Sequence, residues 1–297
     1  MPNLYAQKDS NIRKTWLLLG LFFILIIGLG WIFSYTYNTP GILYGAVALS
    51  LVMNGASYWY SDKIALSMSG AKQVKREDNL YLYRMVENLC ITAGLPVPKI
   101  YIIESNQINA FATGRNPKNA SIAVTRGALD KLQNEELEGV LAHELSHVGN
   151  RDILVMSVVV VLSGVIAILA DWFLRMSFWG RGDDDNRGNA LILIIGLIAA
   201  ILAPLAATLV QLSVSRKREF LADASGALLT RYPDGLANAL EKIAQDHVPM
   251  RTAHNATAHL FISNPFKGKS ENNWLTKLFM THPPVEERIR ILRGMRT

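Results

Sequence analysis

The residues His143-Glu144-Leu145-Ser146-His147 set two imidazoles four positions apart. On a helix that spacing puts both on one face, where their ring nitrogens can take a single zinc ion. Glu144, beside the first, can reach a water that the ion activates. Zinc brings the pKa of such a water to about 7, and a carboxylate can take its proton as it attacks a carbonyl. The chemistry implied is metal-assisted peptide hydrolysis. The plainer alternative is a solvated helix with incidental histidines. The local context favours the first, because Asn134 followed by Glu135 and Glu136 marks a helix start with acids at its positive end.

A catalytic zinc takes three protein ligands and keeps one position open. No third histidine follows at short spacing, since Gly149-Asn150-Arg151 leads straight into an apolar run. His247, His254, His259 and His282 remain, but Glu219 is the better candidate. It shares a helix face with Asp223, four residues on, so Glu219 can bind metal while Asp223 accepts the free N–H of a ligand histidine. Taken alone, a surface helix whose acids pair with Arg216 or Lys217 explains this segment better.

The elements that would position these residues follow from hydropathy. Half of the 297 residues are hydrophobic, and they collect in four blocks near 15–33, 41–60, 153–174 and 190–214. Each approaches the ~20 residues needed to cross a bilayer. The first two form a hairpin turning at Asn38-Thr39-Pro40-Gly41, an N-terminal unit over 1–60. The first block lacks a small-residue cleavage site after it and reads as a retained helix. The formal charge is +6, and the basic residues gather at the ends of the apolar blocks rather than in a stripe interleaved with aromatics. That excludes a nucleic-acid reading and places both termini and the polar part in the cytoplasm. Arg175, Arg181 and Arg187 in the loop after the third block run against this orientation, diluted by Asp183–Asp185. A single cysteine, Cys90, rules out an internal disulfide and reads as a packed apolar residue.

The polar part, 61–297, is interrupted by the second hairpin of spans. A helix is expected over 80–93, ended by Gly94 and Pro96, with strands at 100–104, 109–113 and 121–125 and helices at 216–232, 234–245 and 285–293. The fold class is therefore α+β: a predominantly helical, membrane-anchored, zincin-like domain with a small sheet and four transmembrane helices. His147 lies about six residues before the third span and Glu219 about five after the fourth. At ~1.5 Å per helical residue, an antiparallel pair of spans brings both within ~10 Å of the same membrane face.

Several separate segments resemble the HtpX family of membrane-integrated bacterial zinc metallopeptidases, relatives of the prenyl-protein peptidases. They are Asn109-Ala110-Phe111-Ala112, His143 to His147 continuing to Asn150-Arg151-Asp152, Arg218 to Asp223, and Thr281-His282-Pro283-Pro284. The resemblance implies His143, His147 and Glu219 as ligands of one Zn2+ and Glu144 as general base. It also implies stress-linked quality control at the cell inner membrane, with membrane-protein substrates and an ATP-dependent membrane protease as partner. Asp223 and Asp152 are orienting candidates, and Arg218 an ion-paired or lipid-facing residue. Asn109, Ala110, Phe111 and Ala112 form either a substrate-pairing edge strand or a plain buried one. His282 either donates to the developing oxyanion or is only a turn residue. Two other functions stay open: processing of prenylated peptides, and a non-enzymatic adaptor with a closed structural zinc.

Overall fold

The computed structural model describes residues 4–179, 216–250, 256–266 and 283–295, with Ile198, Thr208 and His254. Two long helices open the chain, α1 (Leu4–Thr36) and α2 (Gly41–Met68). Between them the chain reverses at Asn38, which takes a left-handed φ of 50°. The first helix starts well before the apolar run, since no Pro or Gly falls between Leu4 and Lys14 to stop it. Within the described residues three helical segments are long and apolar enough to cross a membrane: Asp9–Thr36, Gly41–Met68 and Asp152–Asp171. Three such helices stand where the sequence led us to expect four; the fourth, 190–214, falls outside the described residues apart from Ile198 and Thr208.

A four-stranded sheet follows α2. Its strands are β1 (Ala71–Gln73), β2 (Lys99–Ile103), β3 (Ala110–Gly114) and β4 (Ala120–Thr125), in the order β1-β2-β4-β3. β2 and β4 run parallel with Ile100 opposite Ile122, and β1 and β3 flank them antiparallel. Three strands lie within one residue of their expected positions. β1 has no β-branched residue to announce it and is held by its pairing to β2. Between β1 and β2, helix α3 (Leu80–Ala93) is capped by the Asn79 side chain accepting from Leu82 N–H. It ends where Gly94 turns left-handed at φ 64°. Cys90 is buried on its inner face, with burial pushing the thiol up to about 11.

After β4 come a short helix, α4 (Arg126–Lys131), and then α5 (Asn134–Gly149). A capping box starts α5: Glu136 accepts from Gln133 N–H, and the Gln133 side chain caps in return. This helix is buried nearly all round, the mark of an element inside the core. Helix α6 (Asp152–Trp179) carries the apolar run, α7 (Arg216–Thr230) and α8 (Pro233–Gln245) pack against α5, and α9 (Val285–Arg293) packs on α7 and α8. One core joins Leu82, Ile122, Val140 and Leu145 with Ala227, Leu240 and Leu292, so segments on both sides of 153–215 share it. One close approach serves the site. A Cβ built on Gly226 of α7 would lie 3.0 Å from the His143 nitrogen of α5, so only glycine lets the helices meet this tightly.

Candidate metal centre

His143 and His147 project from one face of α5 toward Glu219 in the first turn of α7. The Nε2 atoms of the two imidazoles are 3.2 Å apart. Glu219 presents one carboxylate oxygen 3.8 Å from His143 Nε2 and the other 3.5 Å from His147 Nε2. One ligand atom from each of the three residues falls within 4.8 Å of the others, and all three residues are buried. This is the spacing of atoms that share one cation. The Glu219 segment is thus no surface helix: Arg218, Glu219, Ala222 and Asp223 are all buried.

Each imidazole is fixed from behind, which leaves its Nε2 for the cation. His143 Nδ1 lies 2.9 Å from Asp223, and His147 Nδ1 lies 3.0 Å from Asp152. Asp223 is itself gripped by the fully buried guanidinium of Arg288, which donates to its two oxygens at 2.8 and 2.7 Å. Burial works to raise the Asp223 carboxyl, but Arg288's charge and hydrogen bonds, with those of His143, outweigh it and hold it at about 2. Arg288 also comes within 3.9 Å of Glu219. On the other side, Asn11 of α1 donates to Asp152 at 2.7 Å and accepts from Arg218 at 3.0 Å. Burial alone would lower the His147 pKa. The Asp152 hydrogen bond and the charges of Glu219, Asp152 and Glu144 raise it instead, to about 9. A cation that takes Nε2 must therefore displace a proton.

Glu144 lies against the same cluster, buried, and accepts a hydrogen bond from Ala112 N–H of β3. Burial is the largest influence on it and raises its pKa above the usual carboxylate range; the Glu219 charge adds to this, against the two histidines and Ala112. A carboxyl whose pKa is raised in this way holds a proton more readily than an exposed one, as a group that accepts and returns a proton must.

Among the remaining sequence candidates, Asn109, Ala110, Phe111 and Ala112 lie beside α5 on the edge strand of the sheet, buried. Ala110 C=O already accepts from Ile262 N–H at 3.0 Å, and the Asn109 amide donates to Ser263 C=O at 3.0 Å. Farther along, Gly114 N–H donates to Ser157 of α6 at 3.1 Å. The edge is therefore partly covered by the chain itself. His282 lies outside the described residues. Arg288 and Asn11 had been missed in the sequence. The only signals were an arginine six residues after His282 and an asparagine one turn before an apolar run, both common on solvated helices.

A buried His-His-Glu cluster beside a buried carboxylate, with the histidines on a helix that leads into an apolar span, fits a membrane metallopeptidase. Comparison with known proteins agrees. Residues 76–296 match Peptidase family M48. The chain is 46% identical over 299 residues to the Protease HtpX homolog of Thermoanaerobacter pseudethanolicus, covering 98% of both chains. To the homolog of Caldanaerobacter subterraneus it is 47% identical over 300 residues, again 98% of both. To that of Streptococcus gordonii it is 42% identical over 300 residues, covering 98% of this chain and 100% of the other. A crystal structure of S. mikatae Ste24p aligns with 94% of this chain and 67% of its own, at TM-score 0.48 and 19% identity. The chain belongs to peptidase family M48 and is a metalloprotease.

Proposed function

We propose that this metalloprotease is a zinc endopeptidase of the cell membrane that hydrolyses misfolded or damaged membrane proteins on their cytoplasmic side. The observation that carries the reading is where the cluster sits. His147 is bound by Asp152, the first residue of the Asp152–Asp171 candidate span, so a bond cleaved there lies near the membrane face. The donor set supports zinc: two imidazole nitrogens and a carboxylate, each imidazole backed by an acid. When bound, zinc supplies a Lewis acid for the scissile carbonyl and a water acidic enough to ionise near pH 7. Glu144 takes the proton of the attacking water and returns it to the leaving amine. Asp223 and Asp152 keep the imidazoles oriented, and His282 donates to the developing oxyanion. An extended substrate pairs with β3 at Ala112, beside Glu144, between the Ile262 and Ser263 contacts on one side and the Ser157 contact at Gly114 on the other. Work alongside an ATP-dependent membrane protease belongs to the same proposal.

The test is capture. Full-length Glu144→Gln, expressed in cells under membrane stress, is expected to retain fragments and intact copies of multi-pass membrane proteins, identified by mass spectrometry. A catch dominated by prenylated tails would replace this reading with peptide processing.

A further inference from the structure

We propose that a pocket beside the end of α2 binds the phosphate headgroup of an anionic phospholipid. The pocket has a volume of about 330 Å³ and is lined by Trp59, Tyr60, Asp62, Lys63, Lys99, Arg115 and Asn119. It gathers three cations and one acid from segments far apart in sequence: the end of α2, the start of β2, and the turn after β3. No described acid lies within salt-bridge distance of the three cations. Asp62 offsets only one of the three positive charges, and a shared anion relieves the repulsion that remains.

The membrane level is marked independently. Trp59 and Tyr60 are 58% and 54% exposed at the end of an apolar run. Trp16 of α1, 61% exposed, stacks on Tyr58 with ring centroids 5.8 Å apart. Two helices thus set aromatic rings at one depth, as residues do at the boundary between hydrocarbon and headgroups. Lys63, one turn beyond, lies 5.1 Å from the centre of the Tyr60 ring, and the Lys99 and Arg115 side chains complete the wall on the sheet side. The pocket therefore lies at headgroup level with three cations in its lining, the chemistry that holds an anionic lipid phosphate and leaves its acyl chains along α2. It would anchor the sheet, and with it β3, at a fixed height over the membrane. The inference rests on the chain being a membrane protein and is independent of the substrate.

The full chain is reconstituted in nanodiscs of phosphatidylcholine containing some phosphatidylglycerol, and the lipids retained after detergent exchange are quantified by mass spectrometry. Wild type and a matched control with Lys72→Gln, Lys75→Gln and Arg76→Gln are expected to retain phosphatidylglycerol preferentially. With Lys63→Gln, Lys99→Gln and Arg115→Gln the preference is expected to fall, by about fivefold for each cation removed. Arg115→Gln alone should show the first step and keeps the test intact if the triple variant does not fold. Equal retention by pocket and control variants would overturn the proposal. So would displacement of the lipid by millimolar inorganic phosphate, which would make this a site for the free ion.

Discussion

Asp223 holds two partners at once, His143 Nδ1 and the Arg288 guanidinium. Its removal should act twice. Asp223→Ala frees His143 to turn, and metal affinity measured against a competing chelator is expected to fall about 10–100-fold. It also strands a buried guanidinium, so thermal unfolding of the variant should show a loss of about 3–5 kcal/mol. On the other imidazole, the sign of the pH dependence follows from His147. Its pKa stands near 9, above the ordinary histidine value of 6.5. The stabilisation from its proton is complete below that ordinary value and is lost as pH rises through 9. A metal ion competes with this proton, so apparent metal affinity should weaken by about tenfold per pH unit below 9, and titration calorimetry at several pH values checks it. A flat profile would show that His147 carries no proton to displace.

At the scale of elements, the metal centre depends on helices that meet closely and on one that reaches in from the N-terminus. Gly226→Ala would press a methyl against the His143 backbone, and a stability loss of about 1–3 kcal/mol is expected in denaturant or thermal melts, together with reduced metal retention. Asn11→Ala leaves Asp152 and Arg218 without their shared bridge inside the protein, at a cost of about 1–3 kcal/mol. The revealing readout is metal affinity, which should fall with it although Asn11 does not touch the cation.

These contacts also explain what could be read in advance. His143, Glu144 and His147 were legible because their geometry is local: one helical turn fixes it whatever surrounds it. Asp223 and Asp152 were legible as acids near ligands, and Glu219 became a ligand candidate because the span lengths returned it to the same face. The boundaries of α3, β4 and α9 were marked by Gly94, β-branched residues and Pro284. Arg288 and Asn11 were not legible, because their roles come from burial against segments 65 and 141 residues away. Nor was β1, whose three residues are a strand only by pairing with β2.

At the scale of the whole molecule, one cation would tie α5 to α7, and through Asp152 and Asp223 to α1, α6 and α9. Metal binding should therefore stabilise the entire core around α5 rather than a loop. At a free metal concentration a hundred times Kd the gain is about 2.7 kcal/mol, and chelation should lower the melting temperature by a matching amount. The central claim is that His143, His147 and Glu219 hold the metal while Glu144 moves the proton. It is tested most directly by the rate at which the metal-loaded, full-length Glu144→Gln protein cleaves a membrane substrate. One metal ion per chain is expected, as in the wild type, with cleavage reduced by about 10²–10⁴-fold. Cleavage at the wild-type rate by a variant that keeps its metal would contradict it.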